Sequence, residues 1–292
     1  WPVNNTTYTV SGNYSETFLN ASGCDSVSTL ALTITPGVFL NSKVLLAGPY
    51  DANLGLMSDS LRQYGLIPTN EPYSSSPFNQ TPIGEAGGES ISTSITSVTG
   101  SDAIVDWVFL ELRDASNPSI IIANKRALVQ RDGDIVSHLD GVSPVKFATT
   151  YNGNYFVSVK HRNHLGVMST SSILFNGCSI STVDFTSTSV YTNPLIANTP
   201  RKLVGAANVL WSADANNNKN VKYNGLSNDK DKILNAVGAG TPNATLSPVY
   251  RVEDLNMDGK LRYNNTDNDR ALIINNVGVN TPNRILYQHT PN

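Results

Sequence analysis

Over the first 35 residues, short runs of β-branched and aromatic residues alternate with Gly, Asn and Ser clusters. The runs Thr7–Val10 (TYTV), Ser15–Leu19 (SETFL) and Ser28–Ile34 (STLALTI) are predicted strands. Cys24 falls in Gly23-Cys24-Asp25-Ser26, a tight polar turn between two of them. A complete immunoglobulin-like sandwich needs about 100 residues. Residues 1–35 are therefore expected to form a partial β module that pairs with the rest of the chain or with another molecule.

The main apolar content lies in residues 36–185. Lys43–Ala47 (KVLLA) is predicted to be a strand entering a Gly48-Pro49-Tyr50-Asp51 turn, and Leu54–Tyr64 a loop rather than a short helix. Residues 66–90, rich in Pro, Ser and Gly, are expected to make a long surface excursion. Strands are predicted at Ala103–Arg113, Ser119–Ala123, Leu128–Arg131 and Tyr155–His161. In the first of these, Val105, Trp107, Phe109 and Glu111 share one face by parity, and Ile104, Val108, Leu110 and Leu112 share the other. Two apolar faces make this the central strand of a two-layer β-sandwich spanning residues 36–199. Asp106 and Glu111 interrupt the pattern, and each is expected to pair with an arginine such as Arg113, Arg131 or Arg162.

From residue 200 the pattern changes to Asn/Asp-rich loops and short helical runs, and it repeats. Residues 214–243 align with 254–283 at an offset of 40, with 13 identities in 30 positions and no gap. Each unit reads as a liganding loop, a short strand around Tyr223 or Tyr263, a helix of about ten residues, and a Gly cap at Gly238 or Gly278. Asp254-Leu-Asn256-Met-Asp258-Gly259 is the opening half of a calcium loop: alternate side-chain oxygens turn toward a hard cation, and Gly permits the bend. The twelfth position, where an EF-hand carries a bidentate acid, is Asn265. Asp269 at the head of the helix supplies the closing carboxylate in this reading, with Asp267 as the competitor. The expected ligands are Asp254, Asn256, Asp258, Lys260 and Asp269 in the second loop, and Asp214, Asn216, Asn218 and Asp229 in the first. Asn218 in place of the central Asp, and Lys219 in place of Gly, predict a weaker or blocked first site. Without a cation the same residues would make a framework of Asx turns.

Other motifs favour bland readings. Two histidines three apart in His161-Arg162-Asn163-His164 are expected to face different ways and to cap a strand rather than bind zinc. Asp132-Gly133-Asp134 and Asp140-Gly141 read as tight turns. No Gly-x-Ser-x-Gly, phosphate loop or His-Glu-x-x-His occurs, so no enzymatic activity is expected. A carboxylate pair such as Asp106 and Glu111 would suit a glycosidase, provided the fold places the two acids together.

Composition sharpens the picture. Only 15% of the residues are charged, the formal net charge is −3, and Asn, Ser and Thr number 34, 31 and 25 of 292. The chain lacks the basic footprint of a nucleic-acid binder and any apolar run of about 18 residues that would span a membrane. Residue 1 is Trp without an initiator Met, as in a processed chain or a piece of a longer one. Two cysteines, Cys24 and Cys178, leave the redox compartment open.

The Asp-x-Asn-x-Asp-Gly loop, duplicated and followed by a short helix, resembles the dockerin-type calcium repeat, with divergent spacing and a different closing acid. The opening WPVNNTTYTVSGNYSETFLNASGCDSVSTLALTI resembles the GCDS-type adhesin repeats of giant secreted proteins of Bacteroidota. IVDWVFLELRD, LVQRDGDIV and VKHRNHLGVM resemble the C-terminal region that follows such repeats. The resemblance implies an extracellular or cell-surface location, type IX export, and O-glycosylation at Asp-Ser-hydrophobic sites, which Ser26 and Ser60 fit. It also implies a missing usual partner for Cys24, since in such repeats a Cys often lies just upstream of the Trp.

The expected architecture is thus mainly β: a partial module (1–35), a β-sandwich (36–199) and duplicated calcium repeats (200–292). The expected function is that of a structural or adhesive surface protein, a filament subunit assembling through its N-terminal strands and stabilised by Ca2+. The alternatives are a module for cell-surface glycans, with Tyr50, Tyr64, Tyr73 and Tyr151 as stacking platforms, or a secretion-targeting region.

Overall fold

The computed structural model describes every residue except 9, 20, 21, 34–36, 151, 178 and 292. Part of the TYTV and STLALTI segments, Tyr151 and Cys178 therefore lie outside the described residues. The chain is mainly β, as its patterning predicts. In order it forms β1 (Gly12–Leu19), β2 (Asp25–Leu32), β3 (Val38–Lys43), β4 (Tyr50–Asp51), β5 (Leu56–Met57), α1 (Ser60–Gln63), β6 (Ile104–Asp114) and β7 (Ile121–Gln130). Next come β8 (Asp134–Val136), β9 (Val145–Phe147), β10 (Gly153–His161), β11 (His164–Met168), β12 (Ile173–Phe175) and β13 (Ile180–Asp184). The remainder comprises β14 (Lys202–Val204), β15 (Ala207–Val209), β16 (Asn220–Lys222), α2 (Asp229–Val237), β17 (Thr245–Leu246), β18 (Leu261–Arg262), α3 (Asp269–Val277) and β19 (Ile285–Tyr287).

Nine strands join in one hydrogen-bonded sheet of order β11-β10-β6-β7-β8-β3-β13, with β12 on β10 and β9 on β3. Among the described strands of this sheet, only β3 and β13 run parallel. β6 is central as its two apolar faces require, and Ile104 through Leu112 are all buried. The two short strands predicted at 119–123 and 128–131 are a single strand, β7, because the polar residues between them, Asn124 and Arg126, are buried with hydrogen-bond partners of their own. The Asn124 side chain bonds Ile83 N–H and Thr81 O, while Arg126 donates to Ser74 Oγ and Gln80 O. Lys43–Ala47 lies mostly beyond its strand, since β3 ends at Lys43 and Leu46 bridges to Leu210 instead. The Leu54–Tyr64 segment is not all loop: it holds β5 and the one-turn helix α1.

The Pro-rich excursion is irregular but not merely a surface loop. Tyr73 is buried among the core side chains and donates its hydroxyl to Trp107 O at 2.9 Å. This corrects the expectation of an exposed stacking ring there. Tyr50 packs partly against the same core, and Tyr64 is exposed.

A second, smaller core is built from the repeats. Ala215, Val221, Ile233 and Val237 meet their equivalents forty residues on, Leu255, Leu261, Ile273 and Val277. The strand pairing is reciprocal: β16 of the first repeat pairs with β19, after the second helix, and β18 of the second pairs with β17, after the first. Val221 opposes Leu286 and Leu246 opposes Leu261, which are again equivalent positions. The Asn224–Asn283 and Asn264–Asn243 side-chain bonds follow the same symmetry.

Two close-packed contacts help to dock the tail on the sheet. Met257 enters the main core. Gly48 lies so close to the Leu255 carbonyl oxygen that a Cβ would collide with it. Gly48→Ala is therefore expected to cost about 1–3 kcal/mol, as overpacking does, and to speed hydrogen exchange around residues 252–258. An unchanged exchange pattern would contradict this docking.

Candidate metal centre

Both loops are shaped by the same backbone conformations. Four repeat-equivalent pairs adopt positive φ: Asn217 and Met257 (56° and 59°), Lys219 and Gly259 (66° and 74°), Gly225 and Asn265 (89° and 78°), Ser227 and Asp267 (56° and 55°). Left-handed backbone is uncommon outside glycine, and such outliers concentrate at functional sites. Lys219 accordingly does not change the path of the first loop; it takes up the conformation that Gly259 has in the second.

The acids superimpose in role. Asp214 accepts from Asn218 N (3.0 Å) and Lys219 N (2.9 Å), as Asp254 does from Asp258 N (3.2 Å) and Gly259 N (2.9 Å). Asp229 accepts from Ala215 N (2.8 Å) and Lys222 N (2.7 Å), as Asp269 does from Leu255 N (2.7 Å) and Arg262 N (2.8 Å). The first acid thus holds the loop's bend and the helix-head acid ties the loop to its short strand. Asn228 and Asn268 cap the helices by accepting from Asp231 N and Ala271 N, both at 2.9 Å.

All four carboxylates are buried without a basic side chain among their hydrogen-bond partners. Burial pushes Asp214 up to about 6 and Asp254 up to about 7. Burial, then the Asp214 charge, pushes Asp229 up to about 8; burial, then Asp254, pushes Asp269 well above the ordinary range. Paired acids in a dry site are stable when they share protons or a cation.

The remaining donors are oxygen atoms, the type a hard cation takes. Asn216 Oδ1 is buried and has no hydrogen-bond partner, while its Nδ2 donates to Ser227 O at 2.9 Å. In the second loop Asn256 Nδ2 donates to Asp267 O at 3.1 Å. The carbonyls of Ser227 and Asp267 thus face the asparagine side chains, and half a turn of either amide would present Oδ1 toward the same region. These two carbonyl oxygens escaped the sequence reading: the backbone supplies them through left-handed φ, and only equivalence between repeats signals them. Asp267 enters by its carbonyl, and Asn265 turns away to bond Asn243 O.

The expected ligands are not all gathered. Asp258 accepts from Arg262 Nη1 at 2.8 Å, and Asn218 Oδ1 accepts from Asn220 N at 3.1 Å. Lys260 contributes its N–H to Asp258 Oδ1 at 2.9 Å. The second loop carries more acidic groups than the first, which orders their expected affinities.

Between the loops lies a buried polar cluster contributed by the sheet. His161, Arg162, Asn163 and His164 turn the β10–β11 hairpin and are at most 4% exposed. The histidines do not face different ways: they occupy opposed positions of the hairpin, with Nδ1 atoms 3.0 Å apart. Gly48 N–H donates to His164 Nε2 (3.1 Å), which leaves the His164 proton on Nδ1, facing Asn163 Oδ1 (2.8 Å) and His161 Nδ1. His161 Nε2–H then donates to Asp106 Oδ2 at 3.2 Å. Asp106 also accepts from Arg162 Nε (2.7 Å), Trp107 N (2.8 Å) and the Tyr250 hydroxyl (2.7 Å). Burial alone would raise its carboxyl, but the Arg162 charge and then His161 hold it below the usual range. Burial lowers both histidines, His164 most strongly. Glu111 is paired separately, with Arg113 (2.8 Å) and Lys160 (2.5 Å). Arg131 approaches Asp59 instead.

The Asp132–Asp134 and Asp140–Ser143 segments are Asx-bonded turns, as read. No helix is long and apolar enough to cross a membrane among the described residues. No family model, curated protein or solved structure matches the chain.

Proposed function

We propose that the chain is a calcium-stabilised, extracellular structural protein that associates with copies of itself through its N-terminal hairpin. The observation that carries this reading is the isolation of that hairpin. β1 and β2 bond to each other over eight registered pairs and to no other strand among the described residues. One face is half-covered, where Tyr14 stacks on Tyr8 and Tyr8 approaches Trp1. The other, bearing Thr17, Val27 and Thr29, is exposed, and Phe18 and Leu19 are exposed at the strand end. A two-stranded ribbon is marginal alone in water, and an uncovered edge is a template for further strands. Addition of strands from a neighbouring copy would complete the sheet.

A low-charge surface rich in Asn, Ser and Thr, and loops suited to a cation abundant outside cells, support the extracellular reading and a structural role for calcium. The test is sedimentation velocity of the full chain in calcium over a hundredfold concentration range. Concentration-dependent assembly is expected, abolished when lysines replace Thr17 and Val27. A monodisperse monomer throughout would sink the reading.

A further inference from the structure

The cation reading leaves unexplained why a residue from the sheet stands between the two loops. Asn163 belongs to the β10–β11 turn and to neither repeat, yet it is fully buried and touches the first ligand residue of both. Its carbonyl accepts from Ala213 N (3.0 Å) and Asp214 N (3.2 Å) at the entrance of the first loop. Its side-chain Nδ2 donates to Asp254 O (2.7 Å) and Val252 O (3.1 Å) at the entrance of the second. The rest of the amide is committed as well, because Oδ1 faces the protonated Nδ1 of His164. Arg162, next in the chain, donates Nη1 to Arg251 O and is anchored by Asp106. The turn is thus fixed from behind by the sheet and cannot follow one loop without moving against the other.

Resting on the cation reading above, we propose that Asn163 is a positioning residue for both cation loops, and that through it filling either loop tightens the other. The physical basis is geometric. Asp214 and Asp254 reach their loops from peptide units held by one buried asparagine, its backbone carbonyl on the first and its side-chain amide on the second, so a shift of either unit on ligation is transmitted to the other through that one residue. The interlocked strands carry the same coupling on the far side of the repeats, since β16 closes on β19 and β18 on β17.

The experiment is a calcium titration of the full chain, followed by calorimetry, with calcium alone as the probe. Three variants are compared with the unaltered protein: Asn163→Ala, Asn163→Asp and Asp229→Asn. Loss of the amide donor in either Asn163 variant is expected to weaken calcium binding about 10- to 100-fold at the second loop, whose entrance that donor holds, the range for outer-shell partners of metal ligands, and to weaken the first loop measurably through the coupling. Asp229→Asn, which disables the first loop and leaves Asn163 intact, is expected to weaken the second loop as well, and this arm holds even if the Asn163 variants fold poorly. A merely structural Asn163 would lower the melting temperature and leave the calcium affinities unchanged, which would overturn the proposal. An unaltered second-loop affinity in Asp229→Asn would also overturn it. Failure of the unaltered chain to bind calcium at all would instead overturn the cation reading on which it rests.

Discussion

Removing divalent cations will lower the melting temperature by about 10 °C or more, since each site filled at thousandfold excess over Kd contributes about 4 kcal/mol. The loss will grow as the pH rises. Asp214, Asp229, Asp254 and Asp269 all have folded-state carboxyls pushed above their unfolded range, three of them to about 6, 8 and 7. A group raised on folding stabilises fully below its unfolded value, near 4, and that contribution disappears as pH climbs through the folded one. On the proposed reading the tail is thus held together by protons in chelator and by metal in calcium. Thermal melts in chelator should fall between pH 5 and pH 8, while melts in excess calcium stay nearly level over the same window. Equal melts with and without chelator at pH 8 would remove calcium from the account.

Asp106→Ala should be the most damaging single substitution in the sheet. It strips the buried Arg162 guanidinium, the His161 ring and the Tyr250 hydroxyl of their shared acceptor at once. Breaking a buried ion pair from one side costs about 3–5 kcal/mol, because the surviving charge stays desolvated. The damage should reach the tail, since Arg162 and Tyr250 stack at 4.5 Å and Tyr250 lies in the segment leading into the second loop. Urea unfolding followed by tryptophan fluorescence gives the number. A loss below about 1 kcal/mol would mean that the cluster is not the keystone its geometry makes it.

Periodicity made the central strand and the duplicated loops legible. Two apolar faces placed β6 in the middle of the sheet, and the matched Asp, Asn and Gly positions announced two equivalent loops, each with its helix and cap. What periodicity could not show was which polar residues are interior. Tyr73, Asn124 and Arg126 belong to segments that look like surface, and their burial depends on partners dozens of residues away. The His161–His164 run misleads for a related reason: strand parity sends the two rings apart, whereas a hairpin turn brings its opposed positions together. Within the loops, side-chain chemistry named the acids but left out the carbonyls of Ser227 and Asp267, because any residue type carries a carbonyl. Reciprocal pairing of the repeats was equally hidden, since an offset of 40 fits adjacent independent modules just as well.

That reciprocity sets an order of events during synthesis. The strand of the first loop has no mate until Ile285–Tyr287 has been made, more than a repeat later, while the second loop closes on Thr245–Leu246, already present. The loop that comes first in the chain is therefore completed last, and on the proposed reading an ion held in it would mark a chain whose far strand has arrived.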